Sequence, residues 1–213
     1  MLTIFREIAA GLHEGRNEDN DLNNYLETVH SQEFSMIDDK ERGLIIDNDL
    51  TGIAKFSNPN KVKCVIGSFD VFLTAIETNN GMQTGQLGRR CDFFLMTEKC
   101  FLLWEIKNRE VRNGMATNIR RRGKSQLRTT LALLSELPSW EGISKNKIIK
   151  KCILFNSSAF HSDQDQDINI LVDPFNRLDQ IIGTDWYHQP ENSIEGLWFE
   201  YWEYSGAQIY SIS

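Results

Sequence analysis

The sequence predicts an α/β protein in which a mixed β-sheet is flanked by helices, and three observations predict it. Apolar residues recur at helical spacing in two separated stretches, one near the N-terminus and one from Met115 to Leu137. Between and after them stand short, dense apolar runs rich in β-branched and aromatic residues, bounded by Gly, Asn and Pro. The 213 residues are 40% hydrophobic and 25% charged, with 14 Gly and 4 Pro, which excludes collagen-like and disordered chains. A chain of this length buries a core without disulfides or a structural metal, so one domain over 1–213 is expected.

Taken in order, residues 1–55 read as a helical, acidic segment. Ile4, Phe5, Ile8, Ala9 and Leu12 share one helical face, and Leu22, Tyr25, Leu26 and Val29 follow a cap at Asn20 or Asp21. After the turn at Ser57-Asn58-Pro59-Asn60, β-branched and aromatic residues rise through Val62–Ile66 and Phe69–Ile76, which predicts strands. Two apolar runs, Cys91–Met96 and Phe101–Ile106, are joined by Thr97-Glu98-Lys99-Cys100 and predict a hairpin. Met115, Ile119, Leu127, Leu131 and Leu134 predict a long helix ended by Pro138, and Ile148–Phe155 a buried strand. In the aromatic-rich tail, 157–213, the run Leu197–Tyr204 is apolar on both faces and predicts a sheet strand covered on both sides, as at a subunit contact; the alternatives are aromatics that stack nucleobases or form a protein interface.

The net charge of -7 argues against indiscriminate coating of nucleic acid. Its distribution is uneven. Between Ile106 and Arg128 eight cations face one acid, Glu110, so a segment of net +7 is set against -14 elsewhere, and one basic surface on an acidic body is expected. Cys64, Cys91, Cys100 and Cys152 form no C-x-x-C pair and sit in apolar runs, as reduced buried thiols do. No run approaches 18 apolar residues and the N-terminus lacks signal-peptide order, so no membrane association and a cytoplasmic location are expected.

The hairpin is where chemistry enters. If its turn is centred between Glu98 and Lys99, Asp92 lies directly across from Glu105, Cβ atoms about 5 Å apart, with Lys107 on the same face and Trp104 and Ile106 on the other. Two facing carboxylates repel and raise each other's pKa unless a cation lies between them. Mg²⁺, or Mn²⁺, suits hard carboxylate oxygens and leaves positions for water and substrate phosphate. Lys107 could then orient the nucleophile or neutralise charge developing on phosphorus.

Asp92 followed by Glu105-Ile106-Lys107 resembles the signature of the PD-(D/E)xK nucleases, the restriction-endonuclease-like superfamily. The resemblance covers a core of about residues 60–156, expected in the order strand, strand, strand, helix, strand after a leading helix. It implies Asp92 and Glu105 as metal ligands, the carbonyl of Ile106 as a further ligand, Lys107 as the catalytic lysine, and Gln126 on the following helix as an added site residue. Cys91 stands where the family carries proline, and Thr130 where an aromatic often follows the glutamine. A first-helix acid is often a ligand in such proteins, and Glu7, Glu27 and Glu33 all compete for that place.

The alternative for Glu105 and Lys107 is a solvated strand end whose charges pair with their neighbours. Arg120, Arg121 and Arg122 span most of a helical turn, so at least two face water, and with Lys124 and Arg128 they could grip a phosphate backbone. The competing reading pairs them with the acidic N-terminal helices. Arg122-Gly123-Lys124-Ser125 is no P-loop, because Asn118 stands where glycine is needed. Asp163, Asp165 and Asp167 are no calcium loop, because Ile168 occupies the turn position. His13, His30, His161 and His188 lack partners at ligand spacing. The expectation is a Mg²⁺- or Mn²⁺-dependent nuclease cutting phosphodiester bonds, in DNA before RNA. A partner protein or a second copy would supply recognition. The alternative is a non-catalytic module of the same fold that docks a partner protein.

Overall fold

The computed structural model describes residues 26–39, 43–79, 81, 83, 85, 88–107, 115–145, 148–157, 186–188, 192–205 and 208–212. Five strands come first: β1 (Leu26–Val29), β2 (Glu33–Asp39), β3 (Gly43–Asp47), β4 (Ala54–Ser57) and β5 (Cys64–Ser68). Helix α1 (Phe69–Asn79), the hairpin β6 (Phe93–Met96) and β7 (Cys100–Lys107), and helix α2 (Met115–Ser135) follow. The short helix α3 (Trp140–Ser144), β8 (Ile149–Asn156), β9 (Trp186–His188), α4 (Asn192–Glu195), β10 (Glu200–Ser205) and β11 (Ile209–Ser211) complete the order.

A seven-stranded sheet runs β1-β5-β6-β7-β8-β10-β9. The strands from β1 to β7 pair antiparallel, β7, β8 and β10 are parallel, and β9 is antiparallel again, so the sheet is mixed and the protein is α/β. The second sheet, β11-β4-β2-β3, covers one of its faces. Strand alternation sorts the core into two layers. Phe94, Leu103 and Leu154 point to α1 and α2, meeting Phe69, Leu73, Leu127 and Leu131. Leu95, Trp104, Ile153 and Phe155 point the other way, onto Phe34, Met36 and Phe56 of the second sheet. Each fully buried phenylalanine stabilises this arrangement by roughly 2–3 kcal/mol.

Three expectations are corrected. The helical segment over 1–55 fails from Leu26 onward, where β1 to β4 are strands; residues 1–25, with Glu7 and the first helical pattern, lie outside the described residues. Leu26 and Val29 have helical spacing, but both pair with β5, opposite Gly67 and Cys64, and the ladder overrides a pattern only four residues long. Phe69–Ile76 is α1 rather than a strand. Ser68 Oγ accepts the Val71 N–H at 3.3 Å, which caps the helix, and Phe69, Phe72, Leu73 and Glu77 bury one face at helical spacing. The core therefore runs strand, helix, strand, strand, helix, strand, not three strands in succession.

Further expectations hold, while Trp140–Ser144, Trp186–His188, Asn192–Glu195 and Ile209–Ser211 are elements the sequence reading did not assign. The long helix spans Met115–Ser135, the buried strand Ile149–Asn156, and all four cysteines are buried and free. β10 is covered on both faces, Tyr201 packing with the helices and Tyr204 with the second sheet. The aspartates 163–167, with His13 and His161, lie outside the described residues. Among the described residues no helix is long and apolar enough to cross a membrane.

Candidate active site

The hairpin adopts the predicted register. Phe93 pairs with Trp104 and Met96 with Phe101, the register that sets Asp92 across from Glu105 just beyond the end of the ladder. The turn is held by Thr97, whose N–H donates to the Cys100 carbonyl at 2.9 Å and whose Oγ1 accepts the Lys99 and Cys100 N–H groups. Asp92 is fixed at both ends. Its carbonyl accepts the Phe69 N–H at 2.9 Å, at the start of α1, and its Oδ2 accepts the Ile106 N–H at 2.7 Å.

Glu105 is fully buried, on the face that packs against the helices. One of its oxygens, Oε1, accepts from Lys107 Nζ; among the described residues the other, Oε2, meets no hydrogen-bond donor. Burial pushes the Glu105 carboxyl well above its ordinary value, and the Asp92 charge pushes the same way, against the opposing pull of Lys107. Protonation would let Glu105 donate to Asp92, which also favours the neutral form. A solvated strand end is excluded by this burial, although the Glu105–Lys107 pairing expected of one is present.

Lys107, its side chain 20% exposed, donates also to Gln126 Oε1 at 3.0 Å, and Gln126 Nε2 donates to the Arg90 carbonyl at 2.9 Å. Thr130, one turn further along α2, accepts the Cys91 N–H at 2.8 Å. Helix α2 thus grips both residues that precede Asp92. Burial drives the Cys91 thiol well up, with the Glu105 and Asp92 charges acting in the same sense, so it stays a neutral thiol and not a thiolate ligand.

The remaining candidates separate. Glu27 and Glu33 are exposed, Glu33 within the second sheet, and Glu27 opposite Ile66, which buries on the face away from Glu105. Neither reaches the site. On α2, Arg121 and Arg122 are exposed, as expected of at least two of the three consecutive arginines, and Arg128 is exposed as well. Arg120 donates to Oε2 of the buried Glu203 at 2.8 Å, a partner supplied by β10. Lys124 lies 4.8 Å from the centre of the Tyr201 ring. Gly123 lets α2 touch the sheet between these two clusters; a Cβ there would come 2.6 Å from Leu154 Cδ1.

Sequence reasoning missed Arg90 and Glu77. Both are buried, and the guanidinium meets the carboxylate through two bonds, of 2.9 Å and 3.2 Å. The signal for Glu77 was its place at helical spacing from Phe69 and Leu73, which the strand reading of that stretch hid. Among the described residues no three His, Cys, Asp or Glu side chains gather as metal donors. Two carboxylates and a main-chain carbonyl are what remain. That set suits Mg²⁺, which commonly takes one or two protein carboxylates, and the donorless, buried Glu105 Oε2 is the atom a cation would satisfy.

No protein-family model, no curated protein and no solved structure matches this chain.

Proposed function

We propose that the protein is a metal-dependent nuclease hydrolysing phosphodiester bonds, with DNA as its substrate, and that Asp92, Glu105 and Lys107 carry the reaction. One observation carries this reading. A buried glutamate, one oxygen of which meets no donor among the described residues, lies beside a second carboxylate, and Lys107 partners its other oxygen. A divalent cation held by Asp92, Glu105 and the Ile106 carbonyl would compensate the remaining negative charge. Bound there, Mg²⁺ or Mn²⁺ supplies a polarised phosphoryl oxygen and a more acidic water.

The chain's own groups do the rest. The Ile106 N–H orients the Asp92 carboxylate, and Gln126 aims the Lys107 ammonium, which neutralises charge that develops on the phosphate. Arg121, Arg122 and Arg128 give the exposed side of α2 a cationic face for the phosphate backbone, a salt-dependent and sequence-blind contact. These arginines support DNA binding beside the site without reading bases.

The test is incubation of the purified protein with supercoiled plasmid and Mg²⁺ or Mn²⁺, beside Asp92→Ala and Lys107→Ala. Cleavage by the natural sequence alone is expected. Equal cleavage by all three would mark a contaminant, and no cleavage with either ion would leave the non-catalytic docking module.

A further inference from the structure

We propose that Arg90 is a positioning residue for Lys107, acting through Gln126, and that Glu77 locks it in place; the inference rests on the nuclease reading above. Arg90 is 5% exposed and Glu77 fully buried. A guanidinium and a carboxylate taken out of water together recover the cost of desolvation only with near-complete hydrogen bonding, and here the bonding is dense. Arg90 Nη1 donates to Glu77 Oε1 at 2.9 Å and Nη2 to Glu77 Oε2 at 3.2 Å. Its Nη2 also reaches Thr74 Oγ1 at 3.0 Å, its Nε reaches Asp70 Oδ1 at 3.2 Å, and its Nη1 reaches the Gly88 carbonyl at 3.3 Å. Glu77 Oε2 further accepts the Gly85 N–H at 2.7 Å.

This pairing bolts the segment before Asp92 onto α1. What makes it more than a structural clasp is the main-chain carbonyl of Arg90. That oxygen is the acceptor for Gln126 Nε2, and it fixes which end of the Gln126 amide faces Lys107: with the NH₂ committed to Arg90, the Oε1 is left for the ammonium. A continuous series of contacts therefore runs from Glu77 through Arg90 and Gln126 to Lys107 and Glu105. If the Arg90 carbonyl shifts, Gln126 is free to turn its NH₂ toward the ammonium, and the lysine loses its aim.

The experiment uses the full chain with Arg90→Lys, Gln126→Ala and the double variant. Arg90→Lys keeps a charge opposite Glu77 but loses the forked geometry. Plasmid cleavage should fall about 10-fold or more in kcat with KM little changed, as expected for a residue that orients a reacting group without touching substrate. In the Gln126→Ala background the same substitution should cost nothing further, since the link it acts through is gone. A second readout needs no activity: in the metal-free protein, the Gln126 side-chain amide should lose its distinct ¹⁵N–¹H signal and its exchange protection in Arg90→Lys. Should Arg90→Lys not fold, Asp70→Asn, which loosens Arg90 from its exposed side, should partly lower that protection. Full additivity of the two substitutions, or a Gln126 amide unchanged in the folded variant, would overturn the inference. Absence of cleavage by the natural sequence would instead remove the nuclease reading, with the amide signal still judging the link.

Discussion

Replacing Glu105 with Gln should make the metal-free protein more stable at alkaline pH, although it removes the negative charge that Lys107 pairs with. Burial and the Asp92 charge hold the Glu105 proton to a higher pH in the folded chain than in the unfolded one. The stability this contributes is complete below the unfolded value of about 4.3 and is lost as pH rises through the raised folded value. Above that, the ionised Oε2 is a buried acceptor with no donor, a cost of roughly 1–3 kcal/mol. In the variant, the amide oxygen keeps Lys107 and the new NH₂ donates toward Asp92. The Lys107 bond, now to a neutral acceptor, weakens by about 1 kcal/mol. The net gain is about 1 kcal/mol, or roughly 2–4 °C in Tm for a chain of this size. Urea unfolding in EDTA at pH 4.5 and pH 8 should show the gain at the higher pH only. Adding Mg²⁺ should then reverse the order, because the ion stabilises the natural protein in proportion to its occupancy and finds one ligand fewer in the variant. A variant equal to or less stable than the natural protein at pH 8 in EDTA would refute the reasoning.

Other substitutions test the packing around the site. Gly123→Ala should lower the unfolding free energy measured in urea by about 1 kcal/mol, because overpacking against Leu154 outweighs the gain in helix propensity; Gly142→Ala, where a Cβ meets nothing within 4 Å, should raise it. Arg120→Ala should cost roughly 3 kcal/mol by leaving Glu203 buried and unpartnered by its guanidinium, whereas Arg121→Ala and Arg122→Ala should stay within about 0.5 kcal/mol in the same melts. Asp47 accepts the Asp49 and Thr51 N–H groups and the Thr51 hydroxyl, and these bonds, the hydroxyl first, hold its carboxyl down at about 2. Its contribution is present above the unfolded value of about 3.9 and is lost as pH falls through about 2, so Asp47→Asn should lower stability at pH 7 and progressively less in acid melts.

The turn at Thr97–Cys100 is local, and once it is placed, alternation along two short strands puts Asp92, Glu105 and Lys107 on one face whatever surrounds them. The same local reasoning found α2 and the buried cysteines. It failed at Phe69–Asn79, where the composition reads as strand and the Ser68 cap with a buried stripe decides for helix. At Leu26–Val29, the failure came from a pairing with residues nearly forty positions away.

By itself, then, the sequence determined an α/β chain, a hairpin register and the face on which its acids meet, because each depends on neighbours within a few residues. Only the tertiary structure decided that Glu105 is sealed from water, that Arg120 belongs to Glu203 and that Glu77, Arg90 and Gln126 form one linked series. Burial and long-range hydrogen bonds depend on what packs above a strand, and in this protein that is supplied by helices whose partners are 13 to 83 positions distant.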